Sequence, residues 1–545
     1  MSNPLLLGYV TIKPMIETEV HQRLRAYLRE QGHTQWPHYL TMARLVARAL
    51  RVDRSALIQI DSLAAYQGSH RLSYLIPALL WAGPVILALP DELIQTVLQQ
   101  DIPNLQQGLP IVKPVMTGER WPQQTFRGLL VTSARTWLAS RLQNCDRFPT
   151  GIPTLIDGAS DLETWVRELL SIRLSAQDWE MLMLAFPSHQ EFIRDRRVRI
   201  THAIFQHPAN PYGCYLIEEP EKGLLQELYE QLLHSVDGQM PPRWRSFWHQ
   251  FQQPSVERLA WSQLDRSVGS LTICSGPADI DQALAPIWDQ QPVVLVGTAL
   301  DEDSHAVRYR DRLGLKDMTC LQFGPDRRHD LIQLYLPDKL PMPNTSQFKA
   351  AALQEIRTLL SAQGIAASPT VIIIGDVPLK AQFAAVLAAE FGSRVQLESP
   401  IDKQGILVTG WAYWRSQQAH THSTASNEAL LPPGLLIITT LPIPSLENPL
   451  VAGRVAAYKQ RRQDWFKSYL LPTALSELQR AVAPLRSRPT TPESNPSVVA
   501  LLDNRVNHRS YGVQILEALS PIARSSYLNE DWFTAGSEIS LSPPT

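Results

Sequence analysis

"AAYQGSHRLSYLIPALLW" spans residues 64–81, and its reading decides the fold. The second half, Leu72 to Trp81, is almost wholly apolar and predicts a buried helix. The first half follows a short apolar run, "SALIQI" at 55–60, that predicts a strand. A strand, a short glycine-bearing loop and then a helix is the arrangement in which backbone N–H groups gather around a phosphate. Such a loop ends in a lysine that reaches the terminal phosphates and a hydroxyl residue that ligates magnesium. Here His70 and Arg71 occupy those two places, with Ser69 before them.

The same rhythm continues outward. Apolar runs "PVILAL" (84–89), "GLLVTS" (128–133) and "PTLID" (153–157) alternate with helical segments, after amphipathic helices at 16–33 and 38–50. Strand–helix alternation implies a parallel sheet covered on both faces. Residues 160–265 read as helical and tryptophan-rich, without clear strands. From 270 the alternation returns in "PVVLVGT" (292–298), "TVIIIGD" (370–376), "GILVTG" (405–410), "GLLIITT" (434–440) and "SVVALLD" (497–503). Two α/β units with a helical insertion follow from this order, and the polar residues 524–545 read as a disordered tail.

Composition sets limits. The chain has 545 residues, 44% hydrophobic and 19% charged, enough for three or four globular domains. A net charge of −2 excludes a strongly basic nucleic-acid coat but leaves room for a local basic groove. Cys145, Cys214, Cys274 and Cys320 are isolated, which argues against a disulfide framework or a zinc ribbon and fits a reducing, cytoplasmic location. No signal peptide is evident. The uncharged run at 72–90 approaches spanning length, but "AGP" at 82–84 divides it into a buried helix, a turn and a strand, so no membrane span is expected.

Taken in order, these segments resemble the DinG/XPD-like helicases of superfamily 2. "WPHYLTMARLVARAL" (36–50) is similar to the opening helix of that family, and "AAYQGSHRLSYLIPAL" (64–79) to its Walker A loop and helix. "VILALPDELIQTVLQQDIPNLQ" (85–106) resembles the strand and helix that follow, and "LLVTSARTWLASRL" (129–142) with "TLIDGASDLETW" (154–165) the run up to the DEAH box. "VVLVGTAL" (293–300) stands at the Ser-Ala-Thr motif. "LPIPSLENPLVAGRVAAY" (441–458), "WFKSYLLPTALSELQRAVAPLRSR" (465–488) and "VVALLDNRVNHRSYGVQILEAL" (498–519) carry the resemblance furthest, because word order and spacing agree over about eighty residues. The resemblance implies an α/β fold of two RecA-like P-loop NTPase domains with parallel sheets, and a helical insertion in the first. It divides the chain into a first domain at 1–160, an arch-like insertion at 161–268, a return to the first domain at 269–305, a second domain at 306–523 and a tail at 524–545. It also implies ATP and Mg²⁺ in the cleft, single-stranded or forked DNA across both domains, and Ser69–Arg71 facing Arg486 over that cleft.

The positions that serve hydrolysis depart from the family pattern. Ser69, His70 and Arg71 replace the glycine, lysine and hydroxyl residue of Walker A, and Arg71 cannot ligate a cation. "IDGAS" retains Asp157 but has Gly158 in place of the glutamate that orients water, and Ser160 in place of histidine. "QRAVAPLR" (479–486) retains Gln479 and Arg486, with Ala483 where the first arginine stands in the family. "AYWRSQQ" (412–418) has Arg415 and Gln418 in place of two carboxylates, and Tyr39 replaces a nucleotide-sensing glutamine. The nucleotide-binding candidates are therefore Ser69, His70, Arg71, Asp157, Gln479 and Arg486, of which Asp157 and Arg486 are the retained catalytic positions. Only Cys145 lies where many relatives place four cluster-ligating cysteines, so no iron–sulfur cluster is expected.

Contact with nucleic acid is better represented. Residues 450–515 hold ten Lys/Arg and four Asp/Glu, a net +6 in a chain of −2. "YKQRRQDWFKSY" (458–469) interleaves cations with aromatics, and Lys459, Arg461, Arg462, Trp465 and Lys467 are the nucleic-acid-binding candidates. The alternative is a solvated helix face over buried aromatics. "HTHS" (420–423) lies in a polar segment and reads as a loop, not a metal site. Three functions remain open: a nucleic-acid-binding, helicase-like protein with weak or absent ATP hydrolysis; an active helicase with an unusual nucleotide site; and a protein-interaction scaffold on a helicase fold.

Overall fold

Val85–Leu89 and Leu435–Ile438 are apolar and buried at every position, because both faces of each strand are covered. A computed structural model describes residues 15–32, 36–110, 112–235, 238–253, 258–325, 331–363, 368–420, 431–488 and 495–534. Apart from its first residue, the stretch at 420–423 lies outside them.

The first sheet has β1 (Ala56–Ile60), β2 (Val85–Leu89), β3 (Val115–Thr117), β4 (Leu129–Ser133) and β5 (Thr154–Asp157). The chain then leaves to form an insertion with β6 (Ile172–Leu174), β7 (Cys214–Leu216), β8 (Arg258–Asp265) and β9 (Ser270–Pro277). It returns with β10 (Val293–Thr298) and β11 (Thr319–Gln322), and the seven strands run parallel in the order β11-β1-β10-β5-β2-β4-β3. β10 thus lies between β1 and β5, which brings the turn after Ile60 and the end of β5 at Asp157 to one edge of the sheet. That carboxyl edge is where parallel α/β sheets place their sites.

The second sheet has β12 (Ile332–Tyr335), β13 (Thr370–Ile373), β14 (Val395–Leu397), β15 (Ile406–Thr409), β16 (Leu435–Ile438), β17 (Val498–Leu501) and β18 (Ile522–Ser525). All run parallel in the order β14-β15-β13-β16-β17-β12-β18. Each sheet is sandwiched between two apolar clusters, one per face. The fold is α/β with two parallel-sheet domains, as the alternation implies.

Three details differ from the sequence reading. β11 pairs with β1, so the first sheet continues past residue 305 to Gln322. The insertion is not purely helical: β6 to β9 form an antiparallel sheet in the order β6-β9-β8-β7, reaching Pro277, beyond the expected limit at 268. Its strands are rich in serine, threonine and glutamine and contain no long apolar run, which hid them; helices carrying Trp179, Trp244 and Trp248 supply the core beneath. Residues 524–534 are not a tail, because β18 pairs with β12 and Trp532 is buried; 535–545 lie outside the described residues.

The uncharged run at 72–90 is a helix at Leu72–Leu80, a turn and β2. Among the described residues, no helix is long and apolar enough to cross a membrane.

Candidate nucleotide cleft and nucleic-acid interface

The chain leaves β1 at Asp61 and enters a six-residue helix, Ser62–Gln67, where a phosphate loop would lie. Asp61 caps that helix: its Oδ1 accepts from the Ala64 N–H at 2.7 Å, and its Oδ2 from Trp36 Nε1 at 2.9 Å. A phosphate cradle needs backbone N–H groups aimed at empty space. Here the Ala65, Gly68 and Arg71 N–H groups donate to the carbonyls of Asp61, Ala65 and Gly68. Gly68 turns the chain at φ +71°, and the Arg71 guanidinium lies over it; a Cβ at residue 68 would stand 2.0 Å from Arg71 Nη1. Arg71 is buried, and its Nε donates to Asp101 at 2.6 Å. It faces inward, away from any phosphate. Ser69 is partly buried, its hydroxyl 3.5 Å from Gln67 Oε1. Tyr39 is buried edge-on against Trp36.

His70 takes a different partner. Its Nε2 lies 3.0 Å from Asp157 Oδ2 and its Nδ1 3.2 Å from the Ala64 carbonyl, with both side chains of the pair buried. Carboxylate and carbonyl are both acceptors, so both ring nitrogens of His70 face an acceptor. Tyr74 Oη donates to the same Asp157 oxygen at 2.8 Å, and the Gly158 N–H donates to the other at 2.7 Å. Burial works to raise the Asp157 pKa, but the charge of His70 and the hydrogen bonds from His70, Tyr74 and Gly158 outweigh it and hold the carboxyl below its usual range.

Gly158 is left-handed at φ +79°, and a Cβ there would stand 2.8 Å from Pro90 Cγ and 2.9 Å from the Trp165 ring. The site therefore lacks both the glutamate and the room for one. Ser160 ties the turn after β5 to the end of β10, donating to the Thr298 carbonyl and accepting from its N–H, each at 2.8 Å.

Across the cleft stands the helix Leu471–Arg486. Arg486 is buried behind it, with Nη2 donating to the Leu519 carbonyl at 2.5 Å, so it does not face Ser69–Arg71 as expected. Ala481, Val482 and Leu485 turn this end of the helix into the second domain's apolar core, and Pro484 is buried as well. Gln479 is partly exposed and does not line the cleft. Arg480 and Ala483, one turn apart, do line it, and Arg480 Nη1 lies 2.9 Å from Asp161 Oδ1. Arg480, one turn before Ala483, is thus a cation of the second domain that reaches the first. The cleft encloses about 430 Å³ between Tyr66, His70 and Asp157 on one side and Arg415, Arg480 and Ala483 on the other.

These residues do not fit a magnesium nucleotide. The loop is a helix, and both Asp157 oxygens are engaged, one by His70 and Tyr74 and the other by the Gly158 N–H. Among the described residues, no cluster of His, Cys, Asp and Glu can hold a metal ion.

The nucleic-acid candidates separate. Lys459, Arg462 and Lys467 are exposed, Arg462 at φ +57°. Arg461 is instead ion-paired with Asp279 of the first domain. Trp465 is partly buried beside Phe466, in the cluster of Val451, Tyr458 and Tyr469, with Lys459 Nζ 5.4 Å from its ring centre. Sequence reasoning missed a second cavity of about 360 Å³, where both domains and the insertion meet. It is lined by Arg167, Arg173, Arg312, Arg415, Arg454 and Arg480, each from a different helix or strand, so no local pattern marks it. Glu163 pairs with Arg167 at 3.0 Å and Arg312 at 3.3 Å. Burial opposes its charge, but the three arginines Arg167, Arg312 and Arg454 bring its pKa down to about 2. Arg173 and Arg454 have no ion pair among the described residues; Arg454 lies over the Tyr469 ring. The insertion closes this junction through Leu216 and Leu259, which reach Gly453 of the helix Pro449–Gln460.

The fold is shared with solved structures. A structure named XPD helicase matches with a TM-score of 0.57 and 11% identity, covering 89% of this chain and 99% of that one. Xpd4 from S. tokodaii matches with a TM-score of 0.54 and 12% identity, covering 90% and 99%. The chain has the XPD-helicase fold. No protein-family model matches the sequence, and no curated protein does. At such identity the XPD-like likeness extends to the fold alone, and the cleft has to be read from its own residues.

Proposed function

We propose that the chain is a nucleic-acid-binding protein on an XPD-like helicase fold, with ATP hydrolysis weak or absent. The observation that carries this reading is the His70–Asp157–Tyr74 network, which stands where lysine, magnesium and phosphate would meet. Loss of a water-positioning group removes about 10²–10⁴ in rate, and loss of an arginine finger about 10³–10⁵. With Gly158 and Ala483 at those positions, turnover falls to background. Strand binding is supported by Arg173 and Arg454 in the junction and by Lys459, Arg462 and Lys467 on the surface beside it. The ligand is single-stranded or forked DNA, held through phosphates.

The test is a pair of measurements on the full chain. Phosphate release with ATP, Mg²⁺ and single-stranded DNA is expected at background. Strand affinity is expected to fall with salt at a log–log slope of about −0.7 per phosphate contacted. Strong turnover abolished by Asp157→Ala would establish the active-helicase alternative. Absence of binding at low salt would leave the scaffold alternative.

A further inference from the structure

A chain can fail to hydrolyse ATP and still open and close its cleft, so the mobility of the two domains is a separate question from turnover. We propose that this cleft is a permanent joint, in which groups of the chain itself do the bridging that a nucleotide performs in a two-domain motor. The helix Ser62–Gln67, standing where a phosphate loop would lie, packs directly on the helix Leu471–Arg486 of the second domain. Ala483 is 3% exposed at this boundary, where it lines the cleft together with Ala65 and Tyr66. One turn earlier, Arg480 crosses to Asp161 at 2.9 Å.

The same boundary is pinned elsewhere. Arg312 Nη1 donates to the Ser468 carbonyl at 3.1 Å, and Arg461 pairs with Asp279. Arg415, another cation of the cleft wall, is matched by Glu477 at 2.7 Å within its own domain. Opening would separate Arg480 from Asp161 and expose the packed face of the loop helix. A ligand shifts such an equilibrium only by binding one state better than the other. Here the closing contacts are covalently part of the chain.

The experiment uses the full chain, with and without Mg²⁺ and a non-hydrolysable ATP analogue. Small-angle scattering of the free protein is expected to match the closed structure and to stay unchanged with the analogue. Amides of Ser62–Gln67 and Leu471–Arg486 are expected to be protected from hydrogen exchange. Arg480→Ala and Asp161→Ala should each speed exchange there about tenfold or more, and the charge-swapped pair Asp161→Arg with Arg480→Asp should restore protection. If Arg480→Ala does not fold, Asp161→Asn, which keeps the shape and removes the charge, should show the same acceleration. An expanded free protein, compaction by the analogue, or unchanged exchange in a folded Asp161→Asn variant overturns the joint. Strand binding measured on the same samples reports on the proposed function separately, since the joint can fail while binding persists.

Discussion

The imidazole of His70 and the carboxylate of Asp157, 87 residues apart in the chain, are hydrogen-bonded at 3.0 Å in the interior of the first domain. The pair ties the helical turn after β1 to the end of β5.

Breaking a buried pair leaves its partner charged and unsatisfied. His70→Ala should therefore destabilise the protein by about 3–5 kcal/mol. His70→Lys should be tolerated better, because an ammonium can still reach Asp157, but it should not raise phosphate release, since residues that act as a unit are non-additive. Denaturant melts and a phosphate-release assay on both variants check this.

Acid should weaken the fold through two carboxylates. Asp157 titrates below its ordinary 3.8, and Glu163 at about 2 in place of 4.5. A carboxylate held down in this way contributes its full stability above its unfolded pKa and loses it as pH falls through the folded value. The contribution of Glu163 should be complete above pH 4.5 and decline toward pH 2, by at most about 3 kcal/mol. Melts of Glu163→Gln against pH should be flatter in that window than those of the unmodified chain.

Gly158→Glu should not confer turnover. The left-handed backbone and the contacts with Pro90 and Trp165 both resist a side chain there. The strained backbone alone costs about 1–3 kcal/mol. A lower melting temperature without faster phosphate release is the expected pair of results.

Strand binding should depend on cations in two places. Changing Arg173 and Arg454 to alanine should make the salt slope shallower by about 0.7 for each phosphate no longer neutralised. Lys459→Ala with Arg462→Ala should act in the same sense, whereas Arg461→Ala should act chiefly on the ion pair with Asp279. Trp465→Ala should lower both affinity and melting temperature, because its ring belongs to the cluster of Val451 and Tyr458. Fluorescence titrations at several salt concentrations, with a melt of each variant, separate these effects.

Strand-forming runs were legible because burial on both faces leaves no polar position: "PVILAL" and "GLLIITT" contain β2 and β16. The strands of the insertion were not, because Ser262, Gln263 and Thr272 interrupt their apolar pattern. Ser69–Arg71, Gly158 and Ala483 read in the sequence as departures from a motif, but the contacts these residues make could not be read there. No local signal joins His70 to Asp157, Arg71 to Asp101 or Arg480 to Asp161, since each pair is made only when separate strands and helices meet. Arg486 misled for a related reason: a matching letter at a helix end does not say which side of the helix faces the cleft.

Gly158 has a further meaning for how this chain can change. A glutamate there must overcome its own backbone, Pro90 and Trp165 together, and none of those three obstacles is removed by altering another. The intermediates on any path toward a water-orienting residue are all less stable than the start, so the route is uphill at each first step. On the proposed reading, hydrolysis places no demand on this position or on the residues around it. Ser62–Gln67 are then free to be chosen for how they pack, and a helix that no phosphate loop could tolerate becomes an acceptable occupant of the cleft.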